Sequence, residues 1–155
     1  MTIAIFDCDG VLVDSSHRYR NLPCGSIDLE YWRENSTPEM IARDRLLPMS
    51  RLYRTMLADS RYMVIIATAR QCGPADFAYF RDVLGMPHNL IFRHANDTSA
   101  DWKLKYRELR EIITPERRAL MFEDNALTIA KLRRRMPHVR YHYVESKQGI
   151  KHGQA

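Results

Sequence analysis

The segment Ala4-Ile5-Phe6-Asp7-Cys8-Asp9-Gly10 decides how the rest of the 155-residue chain is read. An apolar run of strand character ends in two carboxylates one residue apart, followed at once by a glycine. Two like charges held that close disfavour joint ionisation unless a cation or a proton lies between them. Short apolar runs recur at Ile3–Phe6, Met63–Ala67, Leu90–Phe92, Ala119–Phe122 and Val139–Val144. Between them lie amphipathic helical patterns at Met49–Leu57, Ala75–Leu84, Asp101–Ile113 and Ala126–Arg135. Gly85 with Met86-Pro87 ends the second helix and Pro137 follows the last, as helix termini commonly read.

Strands alternating with helices predict an α/β fold: a three-layer, Rossmann-like parallel sheet with helices on both faces. In such sheets ligands bind beyond the carboxyl ends of the strands. Polar residues follow four of the five runs: Asp7 and Asp9, then Thr68 and Arg70, then Arg93, then Glu123 and Asp124. Residues 11–48 do not continue the alternation. They are rich in turn formers, with helical patches at Asp28–Glu34 and Pro38–Leu46, and read as a flap and small helical insert over the strand ends. The expected organisation is a single domain over residues 1–155.

Composition bounds the function classes. An apolar content of 45% and a charged content of 28% fit a soluble globular chain. No apolar run approaches the roughly 20 residues that cross a bilayer, and the start lacks the basic flank of a signal peptide. Three cysteines, Cys8, Cys24 and Cys72, without metal or redox spacing, read as reduced thiols in a cytoplasmic protein. The net charge of +5 comes mainly from arginine. It suits either a phosphate-rich partner or an ordinary solvated surface.

Acids in this number, without a histidine or cysteine cluster, suit a hard oxygen-seeking cation such as Mg2+. Such an ion also accounts for the crowded pair Asp7 and Asp9. A hydroxyl, arginines and a lysine, either Lys103 or Lys105, suit a phosphoryl group, whose oxygens need donors and positive charge.

With these residues in place the chain resembles the haloacid dehalogenase-like superfamily of phosphotransferases, whose four motifs occur in order. They are Asp7-Cys8-Asp9-Gly10-Val11, then Thr68 within Ala67-Thr68-Ala69-Arg70, then a lysine, then Glu123-Asp124. Within that superfamily, Arg93 to Lys105 resembles the corresponding stretch of the 3'-phosphatase domain of bacteriophage polynucleotide kinases. Arg18, Arg70, Arg93, Asp97, Asp101 and Lys105 fall on matching positions, which selects Lys105 over Lys103.

The resemblance implies that Asp7 is the nucleophile and forms an aspartyl-phosphate, while Asp9 protonates the leaving oxygen and then activates water. Mg2+ would bind the Asp7 carboxylate, the Asp9 carbonyl and Asp124, with Glu123 acting through water. Thr68 would hydrogen-bond the phosphate and Lys105 would offset its charge. Arg18, Arg70, Arg93 and Asp101 would contact the substrate, and Gly10 would let the backbone bend away beneath it. The chain departs from that relative in carrying Glu123-Asp124-Asn125 where two aspartates and an arginine are common. It also lacks a GxxxxGK[ST] loop, so no kinase half is present.

Other residues read as structural. Asp14, Asp59 and Asp82 suit turns and caps, and Arg133-Arg134-Arg135 suits a helix C-terminus. Trp32 reads as packing, with base stacking as the functional alternative, and Cys8 points to the opposite strand face, into the core. The expected function is a Mg2+-dependent phosphomonoesterase acting on a nucleotide or a nucleic-acid 3' end, with no membrane and no obligatory protein partner. A phosphatase of a small metabolite is the enzymatic alternative. A receiver-like or phosphate-binding module is the non-catalytic one, although receivers place their lysine after the acceptor aspartate and not before a second acidic pair.

Overall fold

The computed structural model describes residues 1–146. The strands are β1 (Thr2–Phe6), β2 (Val13–Asp14), β3 (Arg45–Leu46), β4 (Tyr62–Gln71), β5 (Asn89–Arg93), β6 (Ala119–Glu123) and β7 (Arg140–Tyr143). The helices are α1 (Leu29–Glu34), α2 (Pro38–Ile41), α3 (Met49–Leu57), α4 (Pro74–Tyr79), α5 (Asp101–Ile112) and α6 (Ala126–Arg135). The main sheet is parallel throughout, in the order β5-β4-β1-β6-β7.

Side-chain alternation along β1 builds two cores. Ala4, Phe6 and Cys8 face α3 and α4, where they pack with Tyr53, Met56, Tyr79, Phe80 and Leu84. Ile3 and Ile5 face α5 and α6, where they pack with Leu109, Ile113, Leu132 and Met136. A central strand covered on both sides carries apolar residues at every position, which is why β1 reads as an unbroken hydrophobic run. Each fully buried Ile or Phe side chain contributes about 1.5–3 kcal/mol. Across the upper end of the sheet Phe6 stacks on Phe122 (4.8 Å between centroids) and Phe122 on His142 (5.0 Å). This aromatic ladder fixes the spacing of the strands that carry the acids.

The segment read as one helix over Ala75–Leu84 is α4 followed by a π-helical turn, Phe80–Leu84. Gly85, at φ +109°, ends it, and its carbonyl accepts from Tyr53 Oη at 2.6 Å. The helical patch expected over Pro38–Leu46 stops at Ile41. The chain then enters β3, which pairs antiparallel with β2 through Val13–Leu46 and Asp14–Arg45. This two-residue ladder closes the base of the flap, so the flap springs from a fixed stem. Among the described residues no helix is long and apolar enough to cross a membrane.

Candidate active site

In this strand order the chain reverses direction between β1 and β6, the position where open α/β sheets form a crevice. Asp7 follows β1, with its amide donating to the Phe122 carbonyl at 3.0 Å, and Glu123 ends β6 with Asp124 immediately after it. Carboxylate oxygens of Asp7, Glu123 and Asp124 lie within 4.8 Å of one another, and all three residues are buried. Lys105, one turn into α5 and 1% exposed, reaches across to them. Its Nζ donates to Asp7 Oδ1 at 3.1 Å and to Glu123 Oε1 and Oε2 at 3.1 and 3.3 Å. Burial alone would push the Lys105 ammonium down, but Asp7 and then Glu123 outweigh it and hold the group above the ordinary lysine range. Three carboxylates against one ammonium leave the quartet a net two negative charges. A divalent cation with a preference for oxygen ligands matches both that charge and that donor set.

Asp9 takes part in a second, adjoining network. Its carboxylate accepts from Arg70 Nη2 and Nε and from Ser15 Oγ, the last at 2.7 Å. Arg70 also donates to Asp76 Oδ1 at 2.9 Å and Asp44 Oδ2 at 3.2 Å. Desolvation opposes its charge, but Asp9 leads the acids that hold the guanidinium above its normal range. Thr68 is fully buried and its Oγ1 accepts the Arg70 amide at 3.0 Å. The β4–β5 register shifts between Ala67 and Gln71, which releases this segment from the ladder and aims it at the site.

The structure therefore brings together Asp7, Asp9, Thr68, Lys105, Glu123, Asp124, Arg70 and Gly10. Four expected substrate contacts have other partners: Arg70, held by Asp9, Asp44 and Asp76, and three that lie outside this group. Arg18 is fully buried; its Nε and Nη2 donate to Asp44 at 2.8 and 2.9 Å and its Nη1 to Ser36 Oγ at 2.9 Å. Arg93 donates to the carbonyls of Ala69, Asp97 and Ser99 at 2.8–2.9 Å and to Asp101 at 3.3 Å. Arg93 and Asp101 thus staple the loop before α5 to the end of β4 and set where Lys105 emerges. Asp9, expected to reach the metal through its backbone carbonyl, has its carboxylate held by Arg70 and Ser15 and outside the cluster formed by Asp7, Glu123 and Asp124.

Two acids escaped the sequence reading. Asp44 lies in the flap and Asp76 at the start of α4, and both are buried against Arg70. Asp76 carries a helix-start signal, since it sits three residues after Gly73 and accepts that amide at 2.9 Å. Asn125, the departure in the fourth motif, caps α6 by accepting from Leu127 and Thr128 amides at 3.0 and 3.3 Å. Burial pushes the Cys8 thiol well up and raises Cys72 to about 12. Cys8 lies in the core, and Cys72 packs half-buried against it.

Gly10 is required twice over. Its φ is +86°, and a Cβ there would lie 2.1 Å from Asp124 Oδ2 and 2.8 Å from Ser146 Oγ. Gly10→Ala should cost about 1–2 kcal/mol in backbone strain alone and displace Asp124. The expected result is a lower melting temperature and a severalfold higher Mg2+ concentration for half-maximal activity. An unchanged metal dependence would show that Asp124 is not a ligand.

The parallel sheet, the acids at its β1–β6 switch point and the lysine from α5 define the fold of the haloacid dehalogenase-like hydrolases. A haloacid dehalogenase-like family hydrolase from Streptococcus pneumoniae superposes with a TM-score of 0.66 at 16% identity, covering 98% of this chain and 87% of that one. A haloacid dehalogenase-superfamily hydrolase of subfamily IA from Geobacter sulfurreducens gives 0.61 at 14%, covering 95% and 91%. A chain of the Pnkp1/Rnl/Hen1 RNA repair complex gives 0.65 at 17%, covering 99% and 43%. Residues 1–150 match the profile of the family described as Bacteriophage T5 5'-deoxynucleotidase, and the chain belongs to that family. The 5'-deoxynucleotidase of Escherichia phage T5 is 34% identical over 84 residues, a match covering 51% of this chain and 34% of the relative. The match therefore spans about a third of that curated relative's length.

Proposed function

We propose that this protein is a Mg2+-dependent phosphomonoesterase that removes phosphate from a nucleoside 5'-monophosphate through an aspartyl-phosphate on Asp7. The observation that carries the reading is the buried quartet of Asp7, Glu123, Asp124 and Lys105 at the sheet's switch point. Asp7 attacks phosphorus, so a bond forms between its carboxylate oxygen and phosphorus while the ester bond breaks. Asp9 gives its proton to the departing ester oxygen. It then takes a proton from the water that attacks the phosphoryl group, and Asp7 is released together with inorganic phosphate. Thr68 donates to a phosphoryl oxygen, and Lys105 offsets the negative charge that gathers on Asp7 and that group. Arg70 and Ser15 keep the Asp9 carboxyl oriented towards the leaving oxygen. Mg2+, held by Asp7 and Asp124 with Glu123 behind them, supplies charge neutralisation of the phosphoryl oxygens when bound.

The nucleotide is favoured over a small metabolite because the family and its curated relative are described as 5'-deoxynucleotidases. A nucleic-acid 3' end is the second reading, supported by the likeness of Arg93 to Lys105 to polynucleotide 3'-phosphatase domains. A panel of deoxynucleoside 5'-monophosphates, 3'- and 5'-phosphorylated oligonucleotides and sugar phosphates tests the assignment. Phosphate release should be greatest from the monophosphates, be abolished by EDTA and return with Mg2+. Preference for the 3'-phosphorylated oligonucleotide would shift the substrate to the polymer end. Turnover that survives chelation would remove the metal, and no release from any ester would leave a phosphate-binding module.

A further inference from the structure

We infer that Trp32, on the flap helix α1, is the platform on which the base of the nucleotide substrate stacks. The inference rests on the nucleotide reading above and deepens it. Helix α1 carries Leu29, Tyr31 and Trp32, yet none of its residues is fully buried. Leu29 is 55% exposed, and Leu22, also in the flap, is 43% exposed. A helix with this much apolar surface and no core of its own has its partner elsewhere. Arg70, at the carboxyl end of β4, lies 5.9 Å from the Trp32 ring, so α1 sits beside the end of the sheet that carries the acids.

The placement of Trp32 is specific. The Arg18 guanidinium lies over the indole, 4.1 Å from the ring centroid, and Arg70 lies 5.9 Å from it. Arg18 is clamped by Asp44, and the Trp32 carbonyl accepts from Ser36 Oγ at 2.6 Å. Ring and backbone are therefore both fixed before any ligand arrives, which lowers the entropic cost of binding. Arg70 is the residue that grips Asp9. A single guanidinium thus separates the indole from the acid that protonates the leaving oxygen. In a nucleoside 5'-monophosphate a single pentose separates that oxygen from the base. A flat aromatic base is the group in the substrate that matches an indole. Stacking of this kind accepts every base, because each presents a π-face.

The test compares a deoxynucleoside 5'-monophosphate with 2-deoxyribose 5-phosphate, which has the same ester and no base. Trp32→Ala should lower kcat/KM for the nucleotide roughly tenfold to a hundredfold, the worth of one base–aromatic stack. The loss should fall on KM and be at least tenfold larger for the nucleotide than for the sugar phosphate. Trp32→Phe should keep most of the nucleotide activity. Equal loss on both substrates would overturn the inference, because Trp32 would then serve only to hold Arg18. A wild-type enzyme that processes both substrates equally well would also overturn it while leaving the phosphatase intact. A wild-type enzyme inactive on the nucleotide but active on other esters would instead sink the nucleotide reading, and the platform with it. Binding gives an independent readout, since the chain has two tryptophans. In the double variant Asp7→Asn, Trp102→Phe the remaining fluorescence belongs to Trp32. It should be quenched saturably by the nucleotide and not by the sugar phosphate; no quenching by the nucleotide would contradict the stack.

Discussion

Asp7→Asn should lower phosphate release by about a thousandfold or more, the scale on which removal of a covalent nucleophile acts, without unfolding the protein. The amide has the shape of the carboxylate and can still accept from Lys105 Nζ through its oxygen, the contact now at 3.1 Å. It removes one of three negative charges crowded within 4.8 Å. Like-charge repulsion in the metal-free protein falls, and the melting temperature should stay level or rise. On the proposed function the same substitution also removes a metal ligand. A cation that binds only the folded protein stabilises it by about 2.7 kcal/mol at a hundred times its dissociation constant. The rise in melting temperature on adding Mg2+ should therefore be clear in the wild type and much reduced in the variant. Activity retained by the variant would sink Asp7 as the nucleophile. An unchanged Mg2+ response would place the ion elsewhere.

The central layer of the fold is legible in the sequence because β1 and β6 are buried on both faces. Their composition, Ile-Ala-Ile-Phe and Ala-Leu-Met-Phe, leaves no other assignment. The reading stops β4 at Ala67, whereas the strand runs to Gln71. Its last turn is polar yet buried, since Thr68 and Arg70 are enclosed by the site they form. A rule that equates polar with exposed fails there because function has overridden it. The β2–β3 stem was not legible either. A two-residue ladder shows no periodicity, and its pairing is set by where the flap returns. Asp14 and Asp59 keep the turn roles assigned to them, while Asp82 lies inside the π-helical turn and not at a turn or cap. Asp14 accepts from Ser16, Asp59 and Arg61 pair at 2.7 Å, and Asp82 pairs with Arg81 at 2.8 Å.

For the site, spacing after a strand identifies the groups the sheet itself delivers: Asp7, Glu123, Asp124 and Thr68. It does not separate arginines that face a substrate from arginines that hold the frame. Arg18 and Arg93 occupy matching positions in the resemblance, but nothing in one dimension says that Asp44 neutralises the first or that three carbonyls capture the second. Asp44 is the instructive omission. It sits in Ala42-Arg43-Asp44-Arg45, inside the patch read as helical over Pro38–Leu46, and is 5% exposed. Its burial follows from the flap folding back onto α4, where Tyr79 Oη donates to the Asp44 carbonyl at 2.7 Å. That contact is long-range and leaves no local pattern.

The second large effect is expected at Lys105, where charge balance and catalysis coincide. Lys105→Met keeps the length and apolar stem of the side chain and deletes the ammonium. Asp7, Glu123 and Asp124 would then share a buried site with no cation from the protein. Breaking a buried pair from one side costs about 3–5 kcal/mol, or a melting temperature lower by roughly 10 °C for a domain of this size. The pH dependence follows from the sign of the shift. Asp7 and Glu123 outweigh burial and raise the folded-state value above that of an unfolded lysine. The stabilisation by Lys105 is accordingly complete below the unfolded lysine value of about 10.4 and is lost only as pH rises through the still higher folded value. The share of the wild-type advantage that comes from Lys105 should thus be level from pH 6 to pH 9, windows far below both values. Mg2+ should restore more stability to the variant than it adds to the wild type, because it substitutes for the missing positive charge. Activity should fall with or without that rescue, since in the proposed mechanism the ammonium also offsets charge on the transferring group. Lys105→Arg should not recover it: a guanidinium is bulkier and planar, and the site holds a compact ammonium at 3.1 Å from two different acids. A variant as stable as the wild type would refute the charge-balance argument, and one that kept its activity would hand the catalytic role to another cation.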